Sequence, residues 1–409
     1  MADSRFLTVR LHGRAIGSIT HLGGDRTIFA FEESYLADTE RPTLGLRFKD
    51  RFGGLIGDFR PTQARLMPFF SNLLPEGPLR RFLADRAGVH PDREFHLLRA
   101  LGRDLPGAVT VWADNDGTAD AMPAKAQSAL PDDATEDALR FSLAGVQLKF
   151  SAIKAGTGGL TIPASGAGGN WIVKLPSQAY PRVPENEFSM MTLAAGLGLA
   201  VPRMELVDTA AIANLPDGMA RLGPKAFAIE RFDRQADGHP VHMEDFAQVF
   251  DIYPEDKYRK ASFRNLAVVI AAEAGLPDIA EFIRRVTFTV LIGNGDMHLK
   301  NWSLIYPDAR RARLAPAYDF VSTIAYIANE KSALNFSRVK EFDGFTIDEL
   351  THLAAKAMLP KHLVLDMARE TVTRFLDLWA VEKAHLPLDR AVRDAIDAHL
   401  ARLPIVREI

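Results

Sequence analysis

GNGDMHLKNWSLI, residues 293–305, lies between an apolar helix that ends near Ile292 and a charged turn at 307–313. The last residues of this stretch are apolar, and a second short apolar run, Leu314 to Tyr318, follows the turn. Two short apolar runs joined by a polar turn predict a β-hairpin. The sequence therefore predicts a buried helix, an exposed polar loop and a hairpin in immediate succession.

Asp296, Asn301 and Asp319 are the residues of this segment that carry chemistry. The hairpin would bring Asn301 and Asp319 together at one end, and oxygen ligands of this kind suit Mg²⁺. The Asp-x-x-x-x-Asn spacing is that of protein-kinase catalytic loops, where the Asp accepts a hydroxyl proton and the Asn and a later Asp bind metal. We predict an ATP-dependent, Mg²⁺-using phosphotransferase with Asp296 as the base and Asn301 and Asp319 as metal ligands.

A simpler interpretation is that Asp296 and Asn301 only cap and turn a loop, as such residues often do. Asp319 and the His298-x-x-Asn301 element argue against it, because loops rarely need so many polar side chains at fixed spacing. His298 has two interpretations of its own, a structural histidine that hydrogen-bonds the loop or a catalytic group.

The bulk composition limits the class of protein. The chain has 409 residues, of which 47% are hydrophobic and 25% charged, a net charge of −3 and no cysteine. This length predicts two or three packed units, and the charge gives no basic field for nucleic acid or membranes. The absence of cysteine excludes disulfides, thiolate metal sites and a cysteine nucleophile. No signal peptide or membrane span is expected, so we predict a cytoplasmic protein.

The chain divides into three predicted segments, 1–125, 126–235 and 236–409. Alternating apolar runs from Phe6 to about Leu46 predict an antiparallel sheet, and a helical stripe follows at 69–88. A linker rich in Ala, Asp, Pro and Gly covers 115–138. Further strands are predicted at 141–153, 171–175 and 226–232, with a glycine-rich connection at 156–169, one helix at 187–197, and mostly helices from Met243 onward. The predicted fold is α+β: a small β-rich N-terminal domain packed on a two-lobed, protein-kinase-like domain with a mostly helical C-terminal lobe.

Lys174 is the candidate cation for the phosphates of a nucleotide. It ends a short strand, Trp171 to Lys174, as the lysine of the kinase Val-Ala-Ile-Lys strand does. Glu187, at the start of the next helix, is its candidate ion-pair partner, with Glu185 as the competing choice. The alternative is a lysine that only faces solvent.

Two loops complete the candidate nucleotide site. Ser142 to Lys149 joins two predicted strands and would cover phosphates with backbone donors, although it contains one glycine and is equally typical of an ordinary hairpin turn. Ile229 to Arg234 follows a short strand where a kinase-like fold would connect its lobes, and adenine would bond backbone atoms there.

These residues resemble the HipA family of bacterial serine/threonine kinases, the toxins of HipBA-type toxin–antitoxin modules. The resemblance covers nearly the whole chain. Its motifs are FSNLLPE at 70–76, SLAGVQLK at 142–149, IVKLP at 172–176, NE at 186–187, ERFDR at 230–234, DMHLKN at 296–301 and YD at 318–319. Several spaced motifs in the family's order are more specific than any one of them.

The resemblance implies a role for each matched residue. Lys174 would contact the ATP phosphates, Glu230 and Phe232 the adenine through backbone atoms, and Asp296, Asn301 and Asp319 would act as predicted above. The remaining candidates for the nucleotide site are Ala144, Gly145, Val146, Gln147, His298 and Lys300. The chain departs from the family's pattern at Val146, at Leu148 and in a longer glycine-rich insertion at 156–169.

The resemblance also implies a biology. Ser142 matches a serine whose autophosphorylation ejects the phosphate loop and inactivates the kinase, against the alternative that it only hydrogen-bonds its own loop. Family members phosphorylate an aminoacyl-tRNA synthetase, cause growth arrest or persistence, and are restrained by a HipB-like helix-turn-helix antitoxin that binds operator DNA. This chain shows no DNA-reading element, so its contact with DNA would be indirect.

Two other function classes remain open from the sequence. A small-molecule kinase of the aminoglycoside or choline type has a similar loop, although the N-terminal domain and the Ser142 loop argue against it. A non-catalytic corepressor acting through an antitoxin would not need Lys174, Asp296, Asn301 and Asp319. The sequence encodes neither the phosphorylated target nor the oligomeric state.

Overall fold

The structure, a computed structural model, describes residues 5–113, 148–154, 159–163, 168–216 and 218–409. It confirms the α+β class, with three separate sheets and helices that are concentrated in the C-terminal half of the chain. Three buried hydrophobic clusters accompany these sheets, one for the N-terminal unit, one for the sheet that follows it and one for the helical part. The predicted linker at 115–138 lies outside the described residues, so the domain boundaries stay a prediction.

The N-terminal unit is an antiparallel five-stranded sheet with four short helices. Every second residue of its first strand is buried, which gives the sheet one face toward the core. The strand order is β4-β3-β2-β1-β5. The elements are β1 Phe6–Leu11, β2 Arg14–Leu22, β3 Arg26–Phe31, α1 Glu33–Ala37, β4 Thr62–Gln63, α2 Pro68–Ser71, α3 Gly77–Ala87, α4 Glu94–Leu101 and β5 Val109–Ala113.

Two sequence predictions for this unit differ from the structure. The consecutive strands end at Phe31 instead of near Leu46, because a short helix and a loop intervene before β4. The predicted helical stripe at 69–88 is two helices, α2 and α3. They are separated around Pro75, which cannot continue a helix ladder.

The second sheet has six strands in the order β10-β7-β6-β8-β11-β9. Its central strand β8 carries Lys174 at its end and pairs with β6 and β11 on either side. Helix α5 begins four residues before the predicted Glu187, because Pro184 sits in its first turn, where a proline is tolerated. The elements are β6 Lys149–Lys154, β7 Leu160–Thr161, β8 Trp171–Lys174, α5 Val183–Gly196, β9 Met204–Asp208, β10 Ile212–Ala213 and β11 Lys225–Glu230.

The remainder is mostly helical, as predicted, but contains a three-stranded sheet of order β12-β13-β14. The predicted hairpin is present as β13 and β14, although β14 ends at Leu314 and residues 315–318 continue as irregular chain. Among the described residues, no helix is both long and apolar enough to cross a membrane. The elements are β12 His242–Asp245, α6 Phe246–Val249, α7 Phe263–Glu273, α8 Leu276–Leu291, β13 Ser303–Tyr306, β14 Arg313–Leu314, α9 Ile347–Lys356, α10 Lys361–Glu382, α11 Arg390–Leu400 and α12 Pro404–Arg407.

Buried polar contacts join the N-terminal unit to β12. His242 Nε2 donates to Leu44 O at 2.8 Å, and the Leu46 N–H donates to Glu244 Oε1 at 2.9 Å. Both side chains are fully buried, and burial lowers the pKa of His242 to about 4 and raises the pKa of Glu244 to about 8. This interface therefore holds a neutral histidine and, near neutral pH, a protonated glutamic acid. Neither ionises easily while the two units stay packed together.

Candidate functional site

Residues 293–301, here called the Asp296 loop, begin where α8 ends. Gly293 adopts φ +63°, and a Cβ there would lie within 2.8 Å of the Ile324 side chain, so the turn requires glycine. Asn294 Oδ1 accepts the Asp296 N–H at 2.9 Å, and the Asp296 carbonyl accepts from Asn301 Nδ2 at 2.8 Å. These bonds fix the loop through its backbone and use neither the Asp296 carboxylate nor the Asn301 side-chain oxygen.

The Asp296 carboxylate reaches solvent, and one side of it is covered by Tyr258, whose hydroxyl donates to Oδ1. Desolvation by the surrounding protein raises the pKa of Asp296. The Tyr258 hydrogen bond and the charge of Lys257 counter that effect only in part. A carboxyl whose pKa is raised is a better proton acceptor than a free surface aspartate. Tyr258 has no counterpart in the sequence prediction, because it lies 38 residues before Asp296 in a segment with no motif.

His298 is buried within the same loop. Burial and the nearby Lys257 lower the pKa of His298 to about 3, so the ring is neutral at physiological pH. It packs edge-on against the Tyr258 ring at 4.9 Å, and its Nδ1 has no hydrogen-bond partner among the described residues. A neutral, buried ring that packs on Tyr258 favours the structural interpretation over that of a catalytic acid.

Asp319 and the preceding Tyr318 each make a hydrogen bond to the Asp296 loop. The Tyr318 hydroxyl donates to Lys300 O at 3.0 Å, and Asn294 Nδ2 donates to Asp319 O at 3.3 Å. Asp319 itself has φ +58°, a left-handed conformation uncommon for a residue with a side chain. The surrounding structure holds this backbone in place, and such outliers are typical of functional sites.

Lys174, Glu187 and Asp319 form the Lys174 cluster. The Lys174 ammonium lies between the Glu187 and Asp319 carboxylates and pairs with both. Burial disfavours its charge, but the two carboxylates outweigh that effect and raise the pKa of Lys174. Burial raises the pKa of Glu187 to about 7. Glu185, the competing choice, pairs instead with Arg182 at 3.1 Å.

Lys149 is a second cation near this cluster that the sequence analysis did not assign. It stands opposite Lys174 in the β6–β8 register, and its charge interacts favourably with Asp319. Lys149 is partly exposed to solvent. Desolvation by the surrounding protein and the charge of the neighbouring Lys174 nevertheless lower the pKa of Lys149. Register across the sheet, which depends on the fold, is the signal that identifies it.

In the segment between the lobes, Ile229 to Arg234, part of the backbone is already hydrogen-bonded within the protein. The Glu230 N–H donates to Arg203 O at 2.8 Å, and the Arg231 N–H donates to Asn170 O at 2.9 Å. The Phe232 ring lies 5.5 Å from the Tyr318 ring, which places this segment next to the approach to Asp319. The Glu230 N–H is therefore already hydrogen-bonded within the protein.

Lys300, assigned above to the nucleotide site, faces the N-terminal unit in this structure. Its ammonium lies 2.8 Å from Glu76 Oε1 and donates to Asn72 O at 3.0 Å. Lys257 pairs with the other Glu76 oxygen at 2.8 Å. The two lysines outweigh burial and lower the pKa of Glu76 to about 2. Glu76 thus ties the Asp296 loop to the N-terminal unit.

Five predicted residues lie outside the described residues. They belong to the proposed phosphate loop and are Ser142, Ala144, Gly145, Val146 and Gln147. Their roles stay predictions from the sequence.

Family models match both parts of the chain. A model described as the HipA N-terminal domain matches residues 7–112, and one described as the HipA-like C-terminal domain matches residues 141–379. Two Sinorhizobium fredii proteins whose names describe them as kinases are similar to the chain. Y4dM is 56% identical over 98% of each chain, and Y4mE is 32% identical over 79% of this chain and 78% of its own.

The Shewanella oneidensis serine/threonine-protein kinase toxin HipA is 26% identical over 80% of this chain and 77% of its own. Among solved structures, the S. oneidensis HipA chain in a complex with HipB and operator DNA matches with a TM-score of 0.72. It is 21% identical and covers 98% of this chain and 99% of that one. This likeness supports the fold described above.

Proposed function

The chain belongs to the HipA family of kinases, and from that premise we propose that it is an ATP-dependent serine/threonine protein kinase of the non-specific class. The observation that carries the proposal is the meeting of the Lys174 cluster with the Asp296 loop at Asp319. One part offers a cation and a carboxylate to phosphates and metal, and the other offers a base to a hydroxyl. Phosphoryl transfer needs both in one place.

The residues present fit Mg²⁺ and a nucleotide. Asp319 and the Asn301 amide supply hard oxygen ligands, and one or two protein carboxylates or amides beside phosphates are the usual Mg²⁺ environment. Lys174 supplies the fixed positive charge and Glu187 holds it in place. Mg²⁺, when bound, would neutralise phosphate charge during transfer.

The chain's own residues would then act as follows. Asp296 takes the proton of the substrate hydroxyl while that oxygen bonds to the γ-phosphorus. The bond from this phosphorus to the β-phosphate oxygen breaks, and ADP leaves with its electron pair. Asn301 holds the Asp296 carbonyl and so keeps the base in position. Lys174 stabilises the phosphate charge, and the Glu230 carbonyl and Phe232 backbone orient the adenine.

We propose further that the protein is the toxin of a toxin–antitoxin pair in the cytoplasm. The Shewanella relative is named as a kinase toxin, and its structure contains HipB and operator DNA. A HipB-like helix-turn-helix antitoxin would be the partner here, with operator DNA bound only through it. The phosphorylated protein would be an aminoacyl-tRNA synthetase, which would stop translation and cause growth arrest or persistence. Autophosphorylation of Ser142 would limit the activity.

A phosphotransfer assay tests the proposal. Purified protein with Mg²⁺ and labelled ATP is expected to label itself at Ser142 and one protein band in a cell extract, while Asp296→Asn labels neither. Mass spectrometry of the band identifies the target, and expression of the wild type but not of Asp296→Asn should arrest growth. Labelling of a sugar or amino alcohol and of no protein would overturn the proposal, as would equal toxicity of the variant.

A further inference from the structure

Three potential metal ligands meet in the N-terminal unit, away from the Asp296 loop. They are His21 on β2, Asp25 in the turn between β2 and β3, and His96 on α4. One ligand atom from each lies within 4.8 Å of the other two, and all three residues are partly buried. His21 Nε2 and Asp25 Oδ1 are 3.3 Å apart, and the two imidazole rings meet edge-on at 5.5 Å. We call this the His21 cluster.

Each ligand is carried by an element that is fixed independently. The His21 N–H donates to Arg5 O at 2.8 Å, which continues the β1–β2 pairing. Asp25 adopts φ +60°, and its carbonyl accepts the Ala64 N–H at 2.8 Å, so the turn is held against the next strand. Helix α4 is anchored through buried Glu94, whose carboxylate accepts from the Leu66 N–H and the Ser71 hydroxyl, both at 2.9 Å. Rigid elements are what a preorganised ligand set requires.

The distances suit a transition-metal dication. Ligands about 2.0–2.1 Å from a tetrahedral Zn²⁺ are about 3.3 Å from each other. The His21–Asp25 pair already has that separation, and the ligand atom of His96 lies within 4.8 Å of both. The Phe95 ring packs against both imidazoles, at 4.9 Å from His21 and 5.6 Å from His96.

The Asp25 carboxylate has a second oxygen that a metal would leave available. Arg93 Nε lies 4.0 Å from Asp25 Oδ2, close enough to orient the carboxylate while Oδ1 binds the ion. Metal-binding carboxylates are commonly oriented by an outer partner, which here is an ion pair and not a hydrogen bond. Two imidazoles with one carboxylate favour Zn²⁺ and similar ions over Mg²⁺, which takes oxygen ligands.

We propose that His21, Asp25 and His96 form a binding site for a transition-metal dication, Zn²⁺ in the first instance, with one coordination position left for water. The alternative for the same atoms is an ordinary hydrogen-bonded His–Asp pair that packs on Phe95. The site lies outside the residues assigned to phosphoryl transfer. A test of metal binding therefore does not depend on the proposed kinase activity.

The test uses the full-length, untagged protein after chelator treatment. Zn²⁺ is titrated calorimetrically in the presence of excess Mg²⁺, which occupies oxygen-ligand sites. We expect the wild type to bind one Zn²⁺. His21→Ala, Asp25→Asn and His96→Ala should each lower the affinity for Zn²⁺ at least about tenfold, since even outer-shell changes cost about 10- to 100-fold. His90→Ala is the matched control, because His90 is an exposed histidine of the same unit, 4.0 Å from Asp92.

Two further readouts keep the result interpretable. Zn²⁺ should raise the thermal midpoint of the wild type and of His90→Ala but not of the three site variants, since a ligand that binds only the folded state stabilises it. Circular dichroism without metal checks that each variant is folded, and Asp25→Asn, the most conservative change, serves if a histidine variant is not. The absence of Zn²⁺ binding to the wild type, or equal binding by all folded site variants, would overturn the proposal.

Discussion

The Asp296 loop and the Lys174 cluster meet at Asp319 but are built in different ways. Inside the loop, the bonds that fix Asp296 span two and five residues of sequence. Inside the cluster, Lys174 joins Glu187, 13 residues away, and Asp319, 145 residues away. The loop is a local structure that its own residues specify, whereas the cluster exists only when both lobes are folded and packed together.

This difference implies a division of labour. The Asp296 loop should determine the rate of the chemical step, because it holds the base. The Lys174 cluster should determine the affinity for the nucleotide, because it holds the cation for the phosphates. The two functions should then separate on mutation. Substitutions in each part test this separation, and Asp296→Asn should have the largest effect.

Asp296→Asn should abolish turnover and leave nucleotide affinity almost unchanged. The side chain keeps its shape, and the hydrogen bonds that fix the loop use the Asp296 backbone. Loss of a general base costs about 10²- to 10⁴-fold in rate. The measurement is kcat for protein phosphorylation beside Kd for ATP. Asp308→Asn, in the exposed turn after β13, is the control. A parallel loss of ATP affinity would show that the two parts are not separable.

Glu187→Gln should have the opposite effect, because it should weaken the binding of ATP more than it slows the chemical step. Glutamine can still accept a hydrogen bond but carries no charge, so Lys174 would shift from the position that the two carboxylates define together. A hydrogen bond to a charged group contributes about 1.5–3 kcal/mol, so we expect Kd for ATP to rise about 10- to 100-fold, measured beside kcat. Glu185→Gln is the matched control, since Glu185 is two residues away, also buried, and paired with Arg182. Equal effects of both changes would argue for general destabilisation of α5.

The same difference decides what could be predicted from the sequence. The Asp296-to-Asn301 spacing is visible in the sequence, because the contacts that it produces are local. The short strand that Lys174 ends identified this lysine in the sequence. Its partner was either Glu187 or Glu185, and only the packing of the helix determines which of the two faces Lys174. Lys300 was assigned to the nucleotide site on the family resemblance, but its ammonium meets Glu76 of the N-terminal unit.

Contacts between distant segments were the part that the sequence did not reveal. Strand β12 was missed because a run of four residues with two acids does not alternate clearly, and it is a strand only through its pairing with β13. Tyr258 and Lys149 likewise acquire a place at the site only through folding. Elements with a strong internal pattern were predictable, and groups placed by tertiary packing were not.

Tyr258→Phe tests whether the loop's base is limited by a group from outside the loop. The Tyr258 hydroxyl donates to Asp296 Oδ1 and would compete there with the substrate hydroxyl, so its removal should raise kcat/KM about fivefold, the value of one ordinary hydrogen bond. The donated bond also lowers the pKa of Asp296. Without it that pKa rises further, and the acidic limb of the pH–rate profile should move to higher pH.

The control for this change is Tyr253→Phe, because Tyr253 lies in the same segment but contacts Arg65. A lower rate at every pH, with no shift of the acidic limb, would instead make Tyr258 a group that positions Asp296. Either result measures how far the loop acts by itself.

Glu76→Gln should have the smallest effect and tests whether the Asp296 loop needs the N-terminal unit. The ammonium groups of Lys300 and Lys257 hold the pKa of Glu76 near 2, below its ordinary 4.5. A carboxyl with a depressed pKa stabilises the fold fully above the ordinary value, and that stabilisation is lost as pH falls toward 2. The variant should melt slightly lower at neutral pH and lose less stability on acidification than the wild type.

Glu40→Gln is the matched control for this last change. Glu40 also pairs across the two units, with Arg310, but both side chains are largely exposed, and such pairs contribute little. Thermal midpoints measured from neutral to acidic pH should therefore separate Glu76→Gln from both Glu40→Gln and the wild type. If the two variants behave alike, the Glu76 tie is only a surface ion pair, and the Asp296 loop holds its geometry without the N-terminal unit. If Glu76→Gln alone also lowers kcat, the local hydrogen bonds are not sufficient, and the loop's geometry depends on a contact made across the fold.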